Sequence, residues 1–335
     1  MSLLTYSIVV PVYNRPEETK ELLESLAAQS FNRAFEVVII EDGSNISSEQ
    51  VVADFSQKLT IQYLQKPNTG PGDSRNVGMK MATGDYLILV DSDCVLPPDY
   101  LKQVDKALQH HYVDFFGGPD SAAASFSPIQ KAINFSMTSF LTTGGIRGNK
   151  KSVSRFEPRS FNMGLSKVAF ELSGGFGTIH PGEDPDLSIR LWKLGFKSRF
   201  FADAGVFHKR RISWPSFFKQ VYKFGLTRPV LNEWHPEYAK ITYYFPSVFL
   251  SGLVLSLLLL LVEFPYLIIC YLAYFLALTA SSCWEHKSLY LALLSLRAFG
   301  YQMLGYGLGF ARMTWVIKVL RDKPEKHFPF LFFKT

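Results

Sequence analysis

Residues 82–95 read ATGDYLILVDSDCV, and within them an apolar run ends abruptly in two aspartates. Residues 86–90 are apolar or aromatic, and Asp91 and Asp93 follow with one serine between them. A short continuous apolar run of this kind predicts a strand that is covered on both faces. Charged groups beside a buried strand are costly unless a ligand or counter-ion compensates for them. We therefore expect Asp91 and Asp93 to lie at a binding site.

The sequence on either side alternates β-rich runs with helical patterns. Helical patterns begin at Pro16 and near Pro71, and the apolar runs between them resemble the one that ends at Asp91. This alternation predicts a parallel sheet with helices on both faces, in which ligands bind at the carboxyl ends of the strands. The other predicted strands lie within residues 6–14, 35–44 and 59–65.

Polar side chains follow three of these strands in succession, at Asn14, at residues 41–44 (EDGS) and at residues 91–93 (DSD). Carboxylates gathered at one edge raise each other's pKa unless a cation lies among them. Two carboxylates separated by one small residue can bind a hard divalent ion such as Mg²⁺, which keeps positions for water and phosphate oxygens. A single Asp-x-Asp is more often a solvated turn, but three clusters at one edge favour a metal-dependent site.

Two uncharged apolar segments, residues 243–262 and 264–280, are each close to the ~20 residues that cross a bilayer. Soluble core helices usually keep a polar stripe, so we predict two membrane spans. A third apolar segment, residues 288–310, contains Arg297 and Gln302. We expect it to be re-entrant or interfacial, because a third span would place the basic tail outside the cell.

Charge and cysteine content indicate which partners and which kinds of site to expect. The net charge is +6, and basic residues cluster on both sides of the apolar region, which favours an anionic membrane surface and not nucleic acid. Three cysteines, Cys94, Cys270 and Cys283, form neither a disulfide framework nor a metal-ligand spacing, and we expect them to act as small apolar residues. No cleavable signal is visible near the N-terminus, so the N-terminal part is expected in the cytoplasm.

Five motifs occur in the order and rough spacing of the family 2 glycosyltransferases, and the chain resembles that family over the region that holds them. The resemblance implies a GT-A fold with a Rossmann-like, mostly parallel sheet, a nucleotide-sugar donor, a Mg²⁺ or Mn²⁺ ion and inversion at the anomeric carbon. The chain has Glu41 where an aspartate is usual, so Asp42 is expected to be the closer contact to the base. The motifs are PVYN (11–14), EDGS (41–44), NTGPGDSRNVGM (68–79), GDYLILVDSD (84–93) and GEDPDLSIRL (182–191).

The first three motifs are expected to bind the donor nucleotide. Asp42 can accept a hydrogen bond from a nucleobase, and Pro11, Val12 and Tyr13 can line the wall beside that base. Arg75 and Asn76 follow a glycine-bearing turn at a helix start, where a guanidinium and backbone N–H groups suit phosphate. The alternative for Arg75 is a salt bridge on a helix surface.

The resemblance also assigns the metal and the base. Asp93 would ligate the metal, with Asp91 counted beside it as a ligand that also faces the ribose, and His208 completing the site unless it is structural. Transfer to a hydroxyl needs a base, and by resemblance this is Asp184 with Glu183 as its neighbour. The alternative for acids ahead of a helix is capping, a role that we assign to Asp186. The apolar face of that helix is predicted to comprise Leu187, Leu191 and Leu194.

Basic and aromatic residues alternate in residues 211–231, which is typical of a helix in the membrane interface. This segment and YGLGF (306–310) resemble runs in membrane-bound family 2 enzymes of exopolysaccharide assembly. We expect a GT-A domain (1–210), an interface helix (211–240), a membrane region (241–318) and a basic cytoplasmic tail (319–335). Two further candidates are Asn162, on the acceptor side, and a basic loop at Arg147, Lys150 and Lys151 that either covers the donor or is solvated.

The expected protein is an inverting, metal-dependent glycosyltransferase at the cytoplasmic face of a bacterial inner membrane. It would transfer a sugar from a nucleotide sugar, preferably a UDP-sugar, to a hydroxyl of a lipid-linked glycan in cell-surface polysaccharide synthesis. A polyprenyl-phosphate glycosyltransferase is the alternative. Its acceptor phosphate is already ionised and needs no base, so Asp184 would have no catalytic role in that enzyme. A non-catalytic membrane scaffold is disfavoured because Asp91, Asp93 and Asp184 are all present.

Overall fold

The computed structural model describes residues 3–121, 127–143, 156–208 and 213–333. The chain divides into two compact units. The first comprises Met1–Ala123, Lys150–Lys209 and Phe332–Thr335, and the second comprises Ala124–Asn149 and Arg210–Leu331. The basic loop at Arg147, Lys150 and Lys151 and the basic residues 209–211 lie outside the described residues.

The first unit is built on a seven-stranded sheet of order β3-β2-β1-β4-β8-β6-β9, beside a three-stranded sheet of order β5-β10-β7. The four strands from β3 to β4 are parallel, whereas β8 is antiparallel to both β4 and β6. The strands are β1 (Tyr6–Val12), β2 (Glu36–Asp42), β3 (Thr60–Lys66), β4 (Tyr86–Val90), β5 (Cys94–Val95), β6 (Phe115–Gly117), β7 (Asp120–Ser121), β8 (Asn162–Ser166), β9 (Ser198–Phe200) and β10 (Val206–His208).

The helices alternate with these strands in the first unit and dominate the second. Helices α5, α6 and α9 to α13 belong to the second unit. The helices are α1 (Pro16–Ala27), α2 (Glu49–Phe55), α3 (Pro71–Met81), α4 (Tyr100–His110), α5 (Pro128–Thr138), α6 (Phe140–Thr143), α7 (Lys167–Ser173), α8 (Glu183–Lys193), α9 (Trp214–Trp234), α10 (Phe245–Leu260), α11 (Tyr266–His286), α12 (Leu289–Trp315) and α13 (Pro324–His327).

Alternate residues of the central strands supply two apolar cores, one on each face of the sheet. On β4, Ile88 packs into the core beneath α1 and α4, whereas Leu87 and Leu89 pack into the core beneath α3, α7 and α8. Every residue of β4 is buried, as a strand covered on both faces requires. The predicted parallel sheet is confirmed, and its carboxyl edge carries the residues of interest at Asn14, Asp42 and Asp91.

In the second unit, α12 packs against α5, α9, α10 and α11. Glycines allow α9 and α12 to approach closely, because a Cβ at Gly225 would lie 2.2 Å from the carbonyl oxygen of Tyr306 and one at Gly309 would lie 2.3 Å from that of Tyr222. The two segments that resemble exopolysaccharide enzymes therefore pack against each other. Their glycines serve helix packing.

Two segments of this unit, Ile241–Leu260 and Tyr266–His286, are long and apolar enough to cross a membrane by length and composition. The third apolar segment forms one continuous helix, α12, which differs from the predicted re-entrant form, and the interfacial alternative stays a prediction. Gly305, Gly307 and Gly309 do not break the helix, because they face neighbouring helices that pack closely against them. Its polar residues have partners, since the hydroxyl of Ser136 donates to Gln302 over 2.6 Å and Arg297 lies over the Trp214 ring.

The contact between α9 and α12 gives a matched pair of variants. In Gly225→Ala, the new methyl group meets backbone atoms that cannot rotate away, so we expect the free energy of unfolding to fall by about 1–3 kcal/mol. In Gly300→Ala, on α12, the methyl group meets nothing within 4 Å, and we expect no loss or a gain of up to about 1 kcal/mol from helix propensity. Thermal unfolding in detergent measures both, and equal effects would contradict the packing described here.

Candidate active site

The loops after β1 and β2 are tied together by one side chain. The carboxamide oxygen of Asn14 accepts hydrogen bonds from the backbone N–H groups of Asn45 and Ile46 at 2.7 and 3.1 Å. Asn14 has a φ of 53°, a left-handed conformation that asparagine tolerates better than most residues. Beside it, Tyr13 is half exposed and Pro11 is partly buried, so these two predicted wall residues are accessible, whereas Val12 is buried in the core.

Asp42 anchors the start of α3. Its carboxylate is buried and accepts from the backbone N–H groups of Thr69 and Gly70, each at 3.0 Å, and from the ammonium group of Lys66 at 2.6 Å. Gly70 has a φ of 96°, which lets the loop turn into the helix at this point. Lys66 was missed in the sequence, although its place at the end of β3 puts it at the same sheet edge.

Glu41 has a separate, structural role. Its carboxylate is fully buried and accepts from the backbone N–H of Ser48 at 2.9 Å and from the hydroxyl of Tyr63 at 3.2 Å. These contacts hold the loop that leads into α2. Asp42 therefore contacts the loop at Gly70, while Glu41 contacts the loop on the other side of β2.

Arg75 is the most enclosed cation of this region, with 3% of its surface exposed. Its guanidinium donates to Asp91 over 2.6 Å and lies 3.6 Å from Glu183 and 5.5 Å from the centre of the Phe176 ring. Burial alone would lower the pKa of Arg75. The charges of Asp91, Glu183 and Asp184 outweigh burial, so the pKa lies above its usual value. The surface salt bridge considered from the sequence is wrong, because this group is buried among acids from two segments.

Asn76 does not match its predicted role at the donor. Its amide nitrogen donates to the carbonyl of Phe176 over 2.9 Å, and its oxygen accepts from the N–H of the same residue over 2.8 Å. Both ends of the amide are therefore used to hold the loop before α8. The geometry corrects the expectation: Asn76 positions the loop on which Phe176 packs against Arg75.

Asp93 and His208 lie together where β5 pairs with β10. The imidazole Nε2 of His208 is 3.2 Å from Asp93, and its ring stacks on Phe161 at 4.6 Å. One ligand atom from each of Asp93, Cys94 and His208 lies within 4.8 Å of the others, an arrangement that could hold a metal ion. Asp91 lies outside this group among the described residues and accepts a hydrogen bond from Arg75, so its role as a metal ligand stays a prediction.

Arg15, a residue that the sequence did not single out, also binds Asp93. Its guanidinium forms an ion pair with the carboxylate oxygen opposite the one that faces His208. Burial would raise the pKa of Asp93, but the hydrogen bond and charge of His208, together with the charge of Arg15, lower it to about 2. Asp93 is thus an anion held between two basic groups.

Helix α8 begins at Glu183, directly after Gly182, whose φ is 124°. Burial would raise the pKa of Glu183, but His180, with its Nδ1 2.7 Å away, and Arg75 outweigh burial and lower it. Burial and the charge of Glu183 raise the pKa of Asp184 to about 6, against the lowering effect of Arg75. Oδ1 of Asp184 is buried and accepts no hydrogen bond from the described residues. Two adjacent carboxylates therefore differ in basicity.

Two details of α8 differ from the prediction. Asp186 does not cap the helix, because its carboxylate accepts from Nε of Arg190 at 2.9 Å and that guanidinium also donates to the carbonyls of Ser173 and Gly175. Leu194 is not part of the apolar face, since it follows the helix and is half exposed. Leu187 and Leu191 are buried as expected.

Asn162 is part of the interior of the first unit. The side chain of Asn162 accepts from the Tyr100 hydroxyl and donates to the carbonyl of Ala204, so its predicted role beside the sugar acceptor has no geometric support.

Phe333, in the predicted tail, lies beside the site. Its N–H donates to the carbonyl of Thr178 over 2.9 Å, and its ring packs against Gly70 and lies 5.8 Å from the ring of His180. The sequence offered no signal for this contact.

The geometry therefore joins a loop anchored on an acid, a buried arginine and two unequal carboxylates at one sheet edge. Residues 7–171 match the family described as Glycosyl transferase family 2. The chain carries a family 2 glycosyltransferase domain. The match ends at residue 171, before α8 begins. The interpretation of Glu183 and Asp184 as site residues therefore depends on the structure and on the sequence motif, and not on this match.

Curated relatives share part of this glycosyltransferase domain. The poly(ribitol-phosphate) beta-N-acetylglucosaminyltransferase TarS of Staphylococcus aureus strain Mu50 is 36% identical over 115 residues, which are 33% of this chain and 20% of TarS. The glycosyltransferase GlyA of Streptococcus pneumoniae serotype 4 is 30% identical over 113 residues, 33% of this chain and 16% of GlyA. The chain thus spans about a fifth or less of the length of these two relatives.

Solved structures show the same fold. The mannosyltransferase PcManGT from Pyrobaculum calidifontis, in complex with GDP-Man and Mn²⁺, aligns with 93% of this chain and 87% of its own at a TM-score of 0.61 and 15% identity. S. aureus TarS 1–349 in complex with UDP-GlcNAc aligns with 92% of this chain and 90% of its own at a TM-score of 0.51 and 18% identity. The GT-A fold of the catalytic domain is confirmed.

Proposed function

We propose that this protein is an inverting, metal-dependent glycosyltransferase that moves a sugar from a nucleotide sugar to a hydroxyl of a lipid-linked glycan. The observation that carries the proposal is the carboxylate of Asp184, whose buried oxygen accepts no hydrogen bond from the described residues and whose pKa is raised to about 6. A base of this kind is unprotonated at neutral pH yet basic enough to take a proton from an attacking alcohol. Asp184 is the base and Glu183 sets its basicity.

The neighbouring groups suit the donor. Arg75 and Lys66 place two positive charges at the sheet edge where the acids Asp42 and Asp91 end their strands. A diphosphate carries negative charge that such groups can bind, and the half-exposed ring of Tyr13 can pack on a base. The structural relatives PcManGT and TarS are bound to GDP-Man and UDP-GlcNAc, which are both nucleotide sugars. We propose a UDP-sugar as the donor of this chain.

The Asp93 and His208 pair fits a divalent metal, with a carboxylate oxygen and an imidazole nitrogen that are acceptable ligands for Mn²⁺. When bound, Mg²⁺ or Mn²⁺ would neutralise the negative charge of the leaving diphosphate. Cys94 is a poor ligand for these ions, because they prefer oxygen and nitrogen. Arg15 occupies one oxygen of Asp93 and would have to release it for bidentate binding.

We assign the acceptor to the membrane because of the second unit. Its two apolar segments, Ile241–Leu260 and Tyr266–His286, keep most of their side chains exposed, which is costly in water. A bilayer would cover that surface. The basic residues that flank this region support placement of the catalytic domain at the cytoplasmic face of a bacterial inner membrane, in the synthesis of a cell-surface polysaccharide.

The first prediction tests the base. Asp184→Asn keeps the size of the side chain but cannot accept the proton, so kcat should fall by about 10²–10⁴-fold. Affinity for uridine diphosphate should change little, because the variant keeps Arg75 and Asp93. Turnover and nucleotide affinity are measured on the same protein. A near-normal rate would favour a polyprenyl-phosphate acceptor, which is already ionised, and would overturn the proposed hydroxyl acceptor.

The second prediction concerns pH. Only the ionised form of Asp184 can act as a base, so kcat should fall as the pH drops through about 6. Glu183→Gln removes the adjacent negative charge that raises the pKa of Asp184, so the acidic limb of the profile should move to lower pH. A limb that stays in place in Glu183→Gln would show that another group controls the profile.

The third prediction concerns the metal and is read from Mn²⁺ binding by electron paramagnetic resonance, in the presence of uridine diphosphate. Asp93→Ala and His208→Ala should each weaken binding by about 10–100-fold, because each removes a ligand. Cys94→Ser should leave the affinity nearly unchanged. Arg15→Gln should not weaken binding, since it frees an oxygen of Asp93. Equal losses in all four variants would indicate a structural role, and full turnover in EDTA would exclude a metal.

A further inference from the structure

A groove of ≈ 680 Å³ opens on the second unit and is lined by residues of α9 and α12. Phe218 and Tyr301 form aromatic parts of the wall, and Leu304 and Gly300 continue it along α12. A Cβ on Gly300 would meet nothing within 4 Å, so the helix backbone is open to the groove there. The charged member of the lining is Arg297.

Arg297 is held by aromatic rings and not by an acid. Its guanidinium carbon lies 4.8 Å from the centre of the Trp214 ring and 5.6 Å from that of Tyr301. Its contact with the Tyr301 hydroxyl is long, at 3.5 Å. In the part of the chain that the structure describes, Arg297 has no carboxylate partner, so most of its donors are available to a ligand.

The surroundings of Arg297 are apolar. Leu293 and Leu304, one turn before it and two turns after it on α12, are 55% and 46% exposed. A cation on an apolar helix face is costly in a membrane unless an anion or an aqueous path accompanies it. The rings of Trp214 and Tyr301 stabilise the cation but do not neutralise its charge. The groove therefore favours a ligand with an anionic head and an apolar body.

We propose that this groove binds the phosphate group of the lipid-linked acceptor, with the guanidinium of Arg297 on the phosphate oxygens and an isoprenoid-like chain against Phe218 and Leu304. A planar guanidinium binds two phosphate oxygens at once, and this fork distinguishes it from an ammonium group. This inference rests on the proposed function, because it identifies how the lipid of that acceptor is recognised. It also makes the acceptor a phosphate-bearing lipid.

The test measures the binding of farnesyl phosphate to the full-length protein in detergent by isothermal titration. Arg297→Gln should weaken binding by about 10–100-fold, and Arg297→Lys, which keeps the charge but loses the fork, should weaken it by about 3–10-fold. Gly300→Leu fills the groove, leaves Arg297 in place and should also weaken binding at least 10-fold. Thermal unfolding confirms that each variant is folded, and unchanged affinity in Arg297→Gln or Gly300→Leu overturns the proposal.

Competition separates the sources of phosphate. Inorganic phosphate that binds as tightly as farnesyl phosphate would overturn the lipid site, as would equal competition by dioleoyl phosphatidylglycerol micelles, which would indicate a general phospholipid contact. Uridine diphosphate affinity, which reports the other unit, should not change in these variants. Failure of the proposed catalysis would appear in Asp184→Asn turnover, whereas failure of this inference would appear in lipid affinity, so the two are distinguishable.

Discussion

The buried guanidinium of Arg75 is the interaction on which the site depends. It lies between Asp91, at the end of β4, and Glu183, at the start of α8, and therefore links two segments that are far apart in the chain. Without this cation, the two acids would face each other with little solvent, and breaking such a buried pair commonly costs about 3–5 kcal/mol. The apolar strand β4 can be followed directly by Asp91 because the guanidinium of Arg75 compensates for the charge of that carboxylate.

The same cation acts on both acids at the start of α8, whose pKa values nevertheless shift in opposite directions. His180 and Arg75 outweigh burial and lower the pKa of Glu183, so it stays ionised to lower pH than an ordinary glutamate. Burial and the charge of Glu183 raise the pKa of Asp184, and they outweigh the lowering effects of Arg75, Arg159 and the Ser160 hydroxyl. Different surroundings thus give adjacent carboxylates different basicities, a pattern that occurs in many active sites. Asn76 contributes indirectly, since it fixes the loop whose Phe176 ring packs on Arg75.

The sequence predicted those parts of the fold that depend on local pattern. Continuous apolar runs identified β1, β2 and β4, and the polar residues after them lie at one edge of the sheet, as the pattern predicted. Side-chain partners from distant segments could not be predicted in this way. The contacts of Arg15 with Asp93, of Asn76 with Phe176 and of Phe333 with Gly70 depend on how loops fold back, and no periodicity records that.

The continuous helix α12 is a second feature that the sequence pattern did not predict. The charge of Arg297 and the basic tail led to the expectation of a re-entrant or interfacial segment, because a charge is costly in mid-span and a third span would place the tail outside the cell. In the structure, Gly305 and Gly309 are the points where α9 lies closest, and Gln302 receives the hydroxyl of Ser136. Features that weaken a helix alone thus become its contacts within a bundle. Arg297 is the exception, because its aromatic neighbours leave its charge unbalanced, and this distinguishes a binding feature from a packing feature on the same helix.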